Sequence, residues 1–131
     1  MMIGLNILSK EIYEMNKQRG FDVRKDNLGQ VLMLIVSELA EALEADRNNR
    51  YANIEAYESC VNADDIFEKD REEYIKRSFE INIKNSFEDE IADTLIRILD
   101  LCGAINLNIE RHVNLKLKYN ATREYRHGKK Y

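Results

Sequence analysis

Two pairs of acidic residues, each pair three positions apart, have the types and spacing that suit chemistry. Glu38 and Glu41 lie in "SELAEALEADR", and Glu90 and Asp93 lie in "FEDEIADTLIRILDL". Because residues three apart share a helix face, each pair presents two carboxylates on one side of a helix. Carboxylates are costly to bury alone, so each pair indicates either an ion pair with Lys or Arg or a bound cation.

Glu38 is predicted to point with the core-facing stripe of its helix. At about 100° per residue, the following apolar residues lie within roughly 40° of it: Val31, Leu34, Ala42 and Ala45. Glu41 lies at the edge of this stripe. An acid at a helix interface, paired with Arg or Lys, is the alternative explanation for this pair.

The second pair lies beside the apolar face of a later helix, which is formed by Phe87, Ile91, Leu95, Ile98 and Cys102. Taken alone, Glu90 and Asp93 also fit a solvated face that carries pairs such as Asp93–Arg97. Two acidic pairs on two helices, however, can converge as oxygen ligands, and carboxylates packed that closely require a cation. Both histidines, His112 and His127, lie outside the two pairs. Oxygen-only ligation favours Mg²⁺, with Mn²⁺ as a possible substitute.

Basic residues near the carboxyl end are candidates to bind phosphate. Lys116, Asn120 and Arg123 stand at i, i+4 and i+7, within about 60° of one another on a helix. Arg126 follows in the basic tail. Lys and Arg neutralise phosphoryl oxygens, and Asn can donate to a bridging oxygen. In isolation, a solvated basic helix explains these residues equally well.

An alternative function is a non-catalytic helical adaptor that binds nucleic acid or protein through the basic C-terminal segment. The net charge of −4 disfavours nucleic acid as a partner. The adaptor also gives no reason to place Glu38 in an apolar stripe.

The elements that position these residues are predicted to be helices. The 131 residues contain no proline and five glycines, which favours an all-α fold. The pattern predicts about five helices: residues 5 to about 19, about 27–47, 64 or 65 to about 83, 86 to about 103, and 108 to about 122. Ser86 with Asp89 resembles a capping box at the start of the fourth, and Asn108 is the predicted cap of the fifth. A polar, partly helical connection separates the second from the third. The expected architecture is a helical bundle with a four-helix-bundle-like core, in a single domain (1–131) with a basic tail from about residue 123.

Composition also bears on the cellular setting. No apolar run approaches the roughly 18 residues of a membrane span, and "MMIGLNILSK" is too soon polar for a secretory signal. Cys60 and Cys102 lack the spacing of a zinc site, which favours reduced thiols. A cytoplasmic protein with no membrane partner is predicted.

The ordered set of motifs resembles the MazG-like, all-α nucleoside triphosphate pyrophosphohydrolases, relatives of dimeric dUTPases and of phosphoribosyl-ATP pyrophosphohydrolase. The family signature, E-x-x-E on one helix and E-x-x-D on a later one, reads ELAE at 38–41 and EIAD at 90–93. A later Lys, Asn and Arg matches Lys116, Asn120 and Arg123. The resemblance covers nearly the whole chain.

The resemblance implies Mg²⁺-dependent hydrolysis of a (deoxy)nucleoside triphosphate between its α- and β-phosphates, which yields the monophosphate and pyrophosphate. Glu38, Glu41, Glu90 and Asp93 would hold the metal. Glu41, at the stripe edge, is the predicted general base, and the basic residues would bind the phosphates. Phe21, just past the first helix, is the candidate to stack on the nucleobase, with an ordinary core residue as the alternative.

The resemblance and the wide apolar helix faces also predict a homo-oligomer, either a homodimer or a homotetramer. Two features depart from the family pattern. Ser37 stands where many members carry a further Glu, which leaves the number of metal ions open. The segment between Glu41 and Glu90 is longer than in compact members and holds the predicted third helix, with consequences for substrate choice or assembly.

Overall fold

Every regular element that the computed structural model describes, within residues 4–124 and 129–130, is helical. The α-helices are α1 (Leu5–Gln18), α2 (Leu28–Arg47), α3 (Ile54–Val61), α4 (Arg71–Asn82), α5 (Phe87–Ala104) and α6 (Ile109–Ala121). Short 3-10 helices, Lys25–Asn27 and Glu68–Asp70, precede α2 and α4. The predicted all-α class is confirmed. Within this part of the chain, no helix has both the length and the apolarity that a membrane span requires.

The helix ends follow from local chemistry. Helix α2 ends because Asn49 takes a left-handed conformation (φ 53°), which lets the Arg50 N–H donate to the Ala45 carbonyl at 2.9 Å. At the start of α6, the Asn108 side chain accepts from the Arg111 N–H at 3.1 Å, as the predicted cap requires.

Ser86 also caps its helix as predicted, because its hydroxyl accepts from the Asp89 N–H at 3.2 Å. The return bond differs from a standard capping box. The Asp89 carboxylate accepts from the Asn85 N–H at 2.8 Å, one residue earlier than the box pattern.

The stretch between α2 and α5 holds two helices instead of one. The predicted polar connection contains α3, which is capped by the Asn53 side chain through the Ala56 N–H at 3.0 Å. The predicted third helix begins late, at Arg71, because Phe67 is extended and the Arg71 guanidinium donates to the Val61 carbonyl at 2.8 Å. The described residues therefore contain six α-helices where about five were predicted, and α3 lies in the connection that was predicted to be partly helical.

The chain divides into two compact units. The first comprises Met1–Val31 and Ile96–Tyr131. In it α1 packs closely on the end of α5: the Ser9 hydroxyl donates to the Leu99 carbonyl at 2.6 Å, and Gly103 lies directly against the Ser9 backbone. The start of α1 is joined to α6, since the Asn6 N–H donates to the Glu110 carboxylate at 3.0 Å.

The second unit is Leu32–Leu95 and contains most of α2, all of α3 and α4, and the start of α5. Helix α3 packs on α4 through an edge-to-face contact between Tyr57 and Phe79, whose ring centroids are 6.4 Å apart. The segment after α2 is held against the start of α5, because the Phe87 N–H donates to the Arg50 carbonyl at 2.8 Å. The predictions of a single domain and of a four-helix-bundle-like core stay predictions.

The buried stripe of α2 is close to the predicted one. It consists of Val31, Ile35, Glu38, Ala42 and Ala45. Leu34, which was expected in this stripe, is exposed, and Ile35 is buried in its place. The two positions are about 100° apart on the helix, so a modest rotation of the buried arc accounts for the exchange.

The expected orientation of α5 is wrong within the second unit. Ile91 and Leu95, predicted to face the core, are 42% and 51% exposed, whereas Glu90 and Thr94 are buried. The buried side of this part of α5 therefore carries Glu90 and Thr94, and much of its apolar side faces outward.

Candidate metal centre

The two acidic pairs lie on α2 and α5, within the parts of these helices that belong to the second unit. Glu38 and Glu90, one from each pair, are only 8% and 5% exposed. Glu41 and Asp93 are exposed. Each pair thus supplies one buried and one accessible carboxylate, because the three-residue spacing turns the second side chain about 60° away from the first.

Three of the four predicted ligands form one cluster. Glu38, Glu90 and Asp93 each offer a carboxylate oxygen, and these oxygens all lie within 4.8 Å of one another. Oxygens on opposite sides of a Mg²⁺ ion are about 4.2 Å apart, given a metal–oxygen distance of about 2.1 Å. The cluster therefore fits one Mg²⁺ or Mn²⁺ ion after small side-chain adjustments, and its all-oxygen donor set is the one these cations prefer.

Glu41 joins the cluster through Glu90. The Glu41 carboxylate lies close enough to accept a hydrogen bond from Glu90 when Glu90 is protonated. Burial raises the pKa of Glu90 to about 7, and the hydrogen bond to Glu41 and the negative charges of Glu41, Glu38 and Asp89 act in the same direction. In the absence of a cation, the crowded carboxylates thus retain a proton near neutral pH.

An open cleft of about 240 Å³ lies beside this cluster, lined by Glu41, Glu44, Arg50, Asn85 and Glu90. Arg50 and Asn85 were not predicted as site residues. Arg50 directly follows Asn49, which has a left-handed backbone conformation (φ 53°), and Asn85 itself has one (φ 62°). Asparagine tolerates this conformation, so the "NNR" and "KNS" stretches carried a turn signal. Nothing in their local pattern indicated that the turns would bring Arg50 to the acids.

The predicted phosphate-binding residues belong to the first unit. Lys116 and Arg123 both contact the face of Tyr119, at 5.2 and 5.6 Å from the ring centroid. The side-chain oxygen of Asn120 is buried and accepts no hydrogen bond among the described residues. The structure therefore brings Lys116 and Arg123 together around one ring. That they face the acidic cluster stays a prediction.

Arg126 and Phe21 were also predicted to bind the substrate. Arg126 lies outside the residues that the structure describes. Phe21 is 53% exposed, immediately after Gly20, which ends α1 in a left-handed conformation (φ 89°). Phe21 is therefore not a core residue, and part of its ring is accessible for stacking.

Comparison of the chain with protein-family models, with curated proteins and with solved structures found no match.

Proposed function

We propose that the protein is a Mg²⁺-dependent pyrophosphohydrolase that converts a (deoxy)nucleoside triphosphate to the monophosphate and pyrophosphate. The observation that carries the proposal is the cluster of Glu38, Glu90 and Asp93, with oxygens within 4.8 Å of one another. An exposed Glu41 on one side and an open cleft that contains Arg50 support it. The resemblance of the two acidic motifs and the basic helix to MazG-like enzymes supplies the reaction.

In this proposal three of the acidic residues are metal ligands, and Glu41 is both a ligand and the general base. Glu38, Glu90 and Asp93 would hold Mg²⁺, or Mn²⁺ in its place, and Glu41 would complete the ligand set. The bound ion would neutralise phosphate charge and lower the pKa of a water molecule. Glu41 is exposed and, unlike Asp93, lines the open cleft, so it is the best placed of the four to take the proton of the attacking water.

The basic residues would bind the triphosphate. Arg50 lines the acidic cleft and provides a cation for a phosphate oxygen there. Lys116, Asn120 and Arg123, followed by Arg126, would stabilise the departing pyrophosphate, whose negative charge increases as the bond to the α-phosphate breaks. Phe21 is one candidate partner for the nucleobase. The proposed location of the protein is the cytoplasm, which contains nucleoside triphosphates.

We also propose that the active form is a homo-oligomer, either a dimer or a tetramer. A row of apolar residues on α2 is between 46% and 52% exposed: Leu32, Val36, Leu39 and Leu43. These residues recur at i, i+4, i+7 and i+11 and form one stripe, about 100° from the buried stripe. Together with the exposed Ile91 and Leu95 on α5, this is more apolar helix surface than a stable monomer usually leaves in water.

A helical adaptor would not require this arrangement. An adaptor that binds its partner through the basic tail does not need Glu38 and Glu90 to be buried. Burying crowded carboxylates lowers stability unless a ligand compensates. The acidic cluster therefore favours the enzyme over the adaptor.

Product analysis tests the function directly. Purified protein is incubated with each of the common ribo- and deoxyribonucleoside triphosphates and Mg²⁺, and phosphorus NMR identifies the products. We expect a monophosphate and pyrophosphate from at least one substrate, and no turnover in EDTA. Orthophosphate as the sole phosphate product, or activity that persists in EDTA, would contradict the proposal.

A further inference from the structure

An open groove on the α3–α4 pair has a surface suited to a flat aromatic ligand. It encloses about 430 Å³, within the range of about 300–1,000 Å³ that is usual for small-molecule sites. Tyr57 from α3 and Phe79 and Ile75 from α4 contribute its apolar surface. The two rings are mutually perpendicular within a few degrees (86°), so a planar ligand that stacks on one ring meets the other ring edge-on.

The rim of the groove is cationic. Lys76 and Lys84 line it together with a single acid, Glu80. Both lysines are exposed, and neither forms an ion pair within the part of the chain described by the structure. An aromatic floor with a net positive rim complements a ligand that has a planar ring and a negatively charged substituent.

The groove and the acidic cleft lie in the same unit. One residue that lines the groove is followed directly in the sequence by one that lines the cleft. Lys84 lines the groove and Asn85 lines the cleft with Glu41 and Glu90. Consecutive Cα atoms are about 3.8 Å apart, so the groove and the cleft adjoin the same turn of the chain. The turn is well defined, since the Lys84 N–H donates to the Phe79 carbonyl at 2.9 Å and the Asn85 N–H donates to the Asp89 carboxylate at 2.8 Å.

We propose that the α3–α4 groove is the nucleobase subsite, in which the base stacks on Phe79 and contacts Tyr57 edge-on, and Lys84 contacts the phosphate chain as it leads to the acidic cleft. The inference rests on the proposed function for the identity of the ligand. It gives the long segment between the acidic pairs a role in substrate choice. It also assigns the base to Phe79 and Tyr57 instead of Phe21, which belongs to the other unit.

The test uses two probes in parallel on the full-length protein with Mg²⁺. One is an α,β-methylene analogue of a nucleoside triphosphate, in which the bond that would be cleaved is replaced. The other is inorganic triphosphate, which has no base. Calorimetry measures the dissociation constant of each probe for Phe79→Leu, with Phe67→Leu, at a 72% exposed position, as the matched control and Phe79→Tyr as the variant that retains a flat ring.

We expect Phe79→Leu to weaken binding of the analogue about tenfold and to leave binding of inorganic triphosphate unchanged, because stacking on an aromatic ring is lost. Phe79→Tyr and Phe67→Leu should bind the analogue as the unchanged protein does. Lys84→Met should weaken both probes, and Lys69→Met, on the nearby 3-10 helix, should weaken neither. Circular dichroism checks that each variant keeps its helical content.

The outcomes separate this inference from the proposed function. If the protein hydrolyses nucleotides but Phe79→Leu binds the analogue normally, the groove is not the base subsite and the enzyme assignment stands. If Phe79→Leu weakens both probes equally, the ring acts through the fold and the inference is wrong. If the protein binds the analogue through Phe79 but hydrolyses no nucleotide, the proposed function fails and the groove remains a nucleotide site.

Discussion

At the scale of single residues, burial and metal binding place opposite requirements on the charge of Glu90. It is 5% exposed, and burial favours its neutral form. As a metal ligand, it must instead be ionised. The raised pKa of Glu90 reconciles the two, because a bound cation replaces the proton of Glu90 as the source of positive charge in the cluster.

Glu38→Gln and Asp93→Asn should each lose most of the turnover while the helical circular dichroism signal stays intact. Each substitution removes one ligand charge but preserves side-chain shape. In EDTA, both variants should melt at the same or a higher temperature than the unchanged protein, because they relieve repulsion between carboxylates. Glu58→Gln, at an exposed position of α3, is the control and should change neither property. Near-normal turnover in the two ligand variants would show that the cluster is not a metal site.

Glu90 should make the stability of the metal-free protein fall as pH rises. Its pKa is about 7 in the folded state against an ordinary value of 4.5, so the folded state holds one more proton between these values. The stabilisation is complete below about pH 4.5 and is lost as pH rises through about 7, with an upper limit of about 3 kcal/mol. Urea unfolding in EDTA at several pH values measures it.

The control for the pH effect is Glu90→Gln, which cannot titrate. The difference in unfolding free energy between the two proteins should change across this pH window, whereas contributions from other groups cancel. Mg²⁺ should stabilise the unchanged protein more at pH 8 than at pH 6, since the ion competes with the proton on Glu90. Parallel pH profiles for the two proteins in EDTA would contradict the shifted pKa.

At the scale of elements, the contact between α1 and α5 depends on the missing side chain of Gly103. A Cβ atom there would lie 2.5 Å from the Ser9 carbonyl oxygen and 2.7 Å from the Tyr13 Cβ. Both neighbours are close to or part of the α1 backbone, so they cannot move without moving the helix. The close approach also lets the Ser9 hydroxyl reach the Leu99 carbonyl.

Gly103→Ala should therefore reduce the free energy of unfolding by about 2 kcal/mol or more, as expected for overpacking against backbone. Gly29→Ala in α2 is the matched control, because a Cβ atom there meets nothing within 4 Å. That change should be neutral or should increase stability by up to about 1 kcal/mol, since alanine favours the helix. Urea unfolding of both variants checks the pair, and equal effects would contradict the packing argument.

At the scale of the whole molecule, the exposed stripe on α2 bears on assembly. Light scattering coupled to gel filtration should give at least twice the chain mass of 15.4 kDa. Leu39→Glu, at the centre of the stripe, should shift the protein towards monomer because it places a charge in an apolar interface. Ile81→Glu, at an 80% exposed position on α4, should leave the mass unchanged. A fully active 15.4 kDa monomer at nanomolar concentration would contradict the proposed oligomer.

The sequence by itself determined most of what is local. The absence of proline, the apolar periodicity and the Ser86 and Asn108 caps predicted the bounds of four helices closely, because these signals act within one or two turns. The same periodicity predicted the burial of Glu38 among small apolar residues of α2. The two acidic pairs were recognisable because spacing along a helix directly sets which side chains share a face.

Only the tertiary structure decided which face of a helix is buried and what lies opposite it. Helix α5 has an acidic side and an apolar side, and its periodicity is the same whichever of them faces inward. Packing in the second unit buries Glu90 and leaves Ile91 and Leu95 half-exposed. Arg50 and Asn85 reach the acidic cleft through turns at two left-handed asparagines. Contacts between residues of different elements depend on the path of the chain between the helices, and the spacing of residues within one helix does not encode that path.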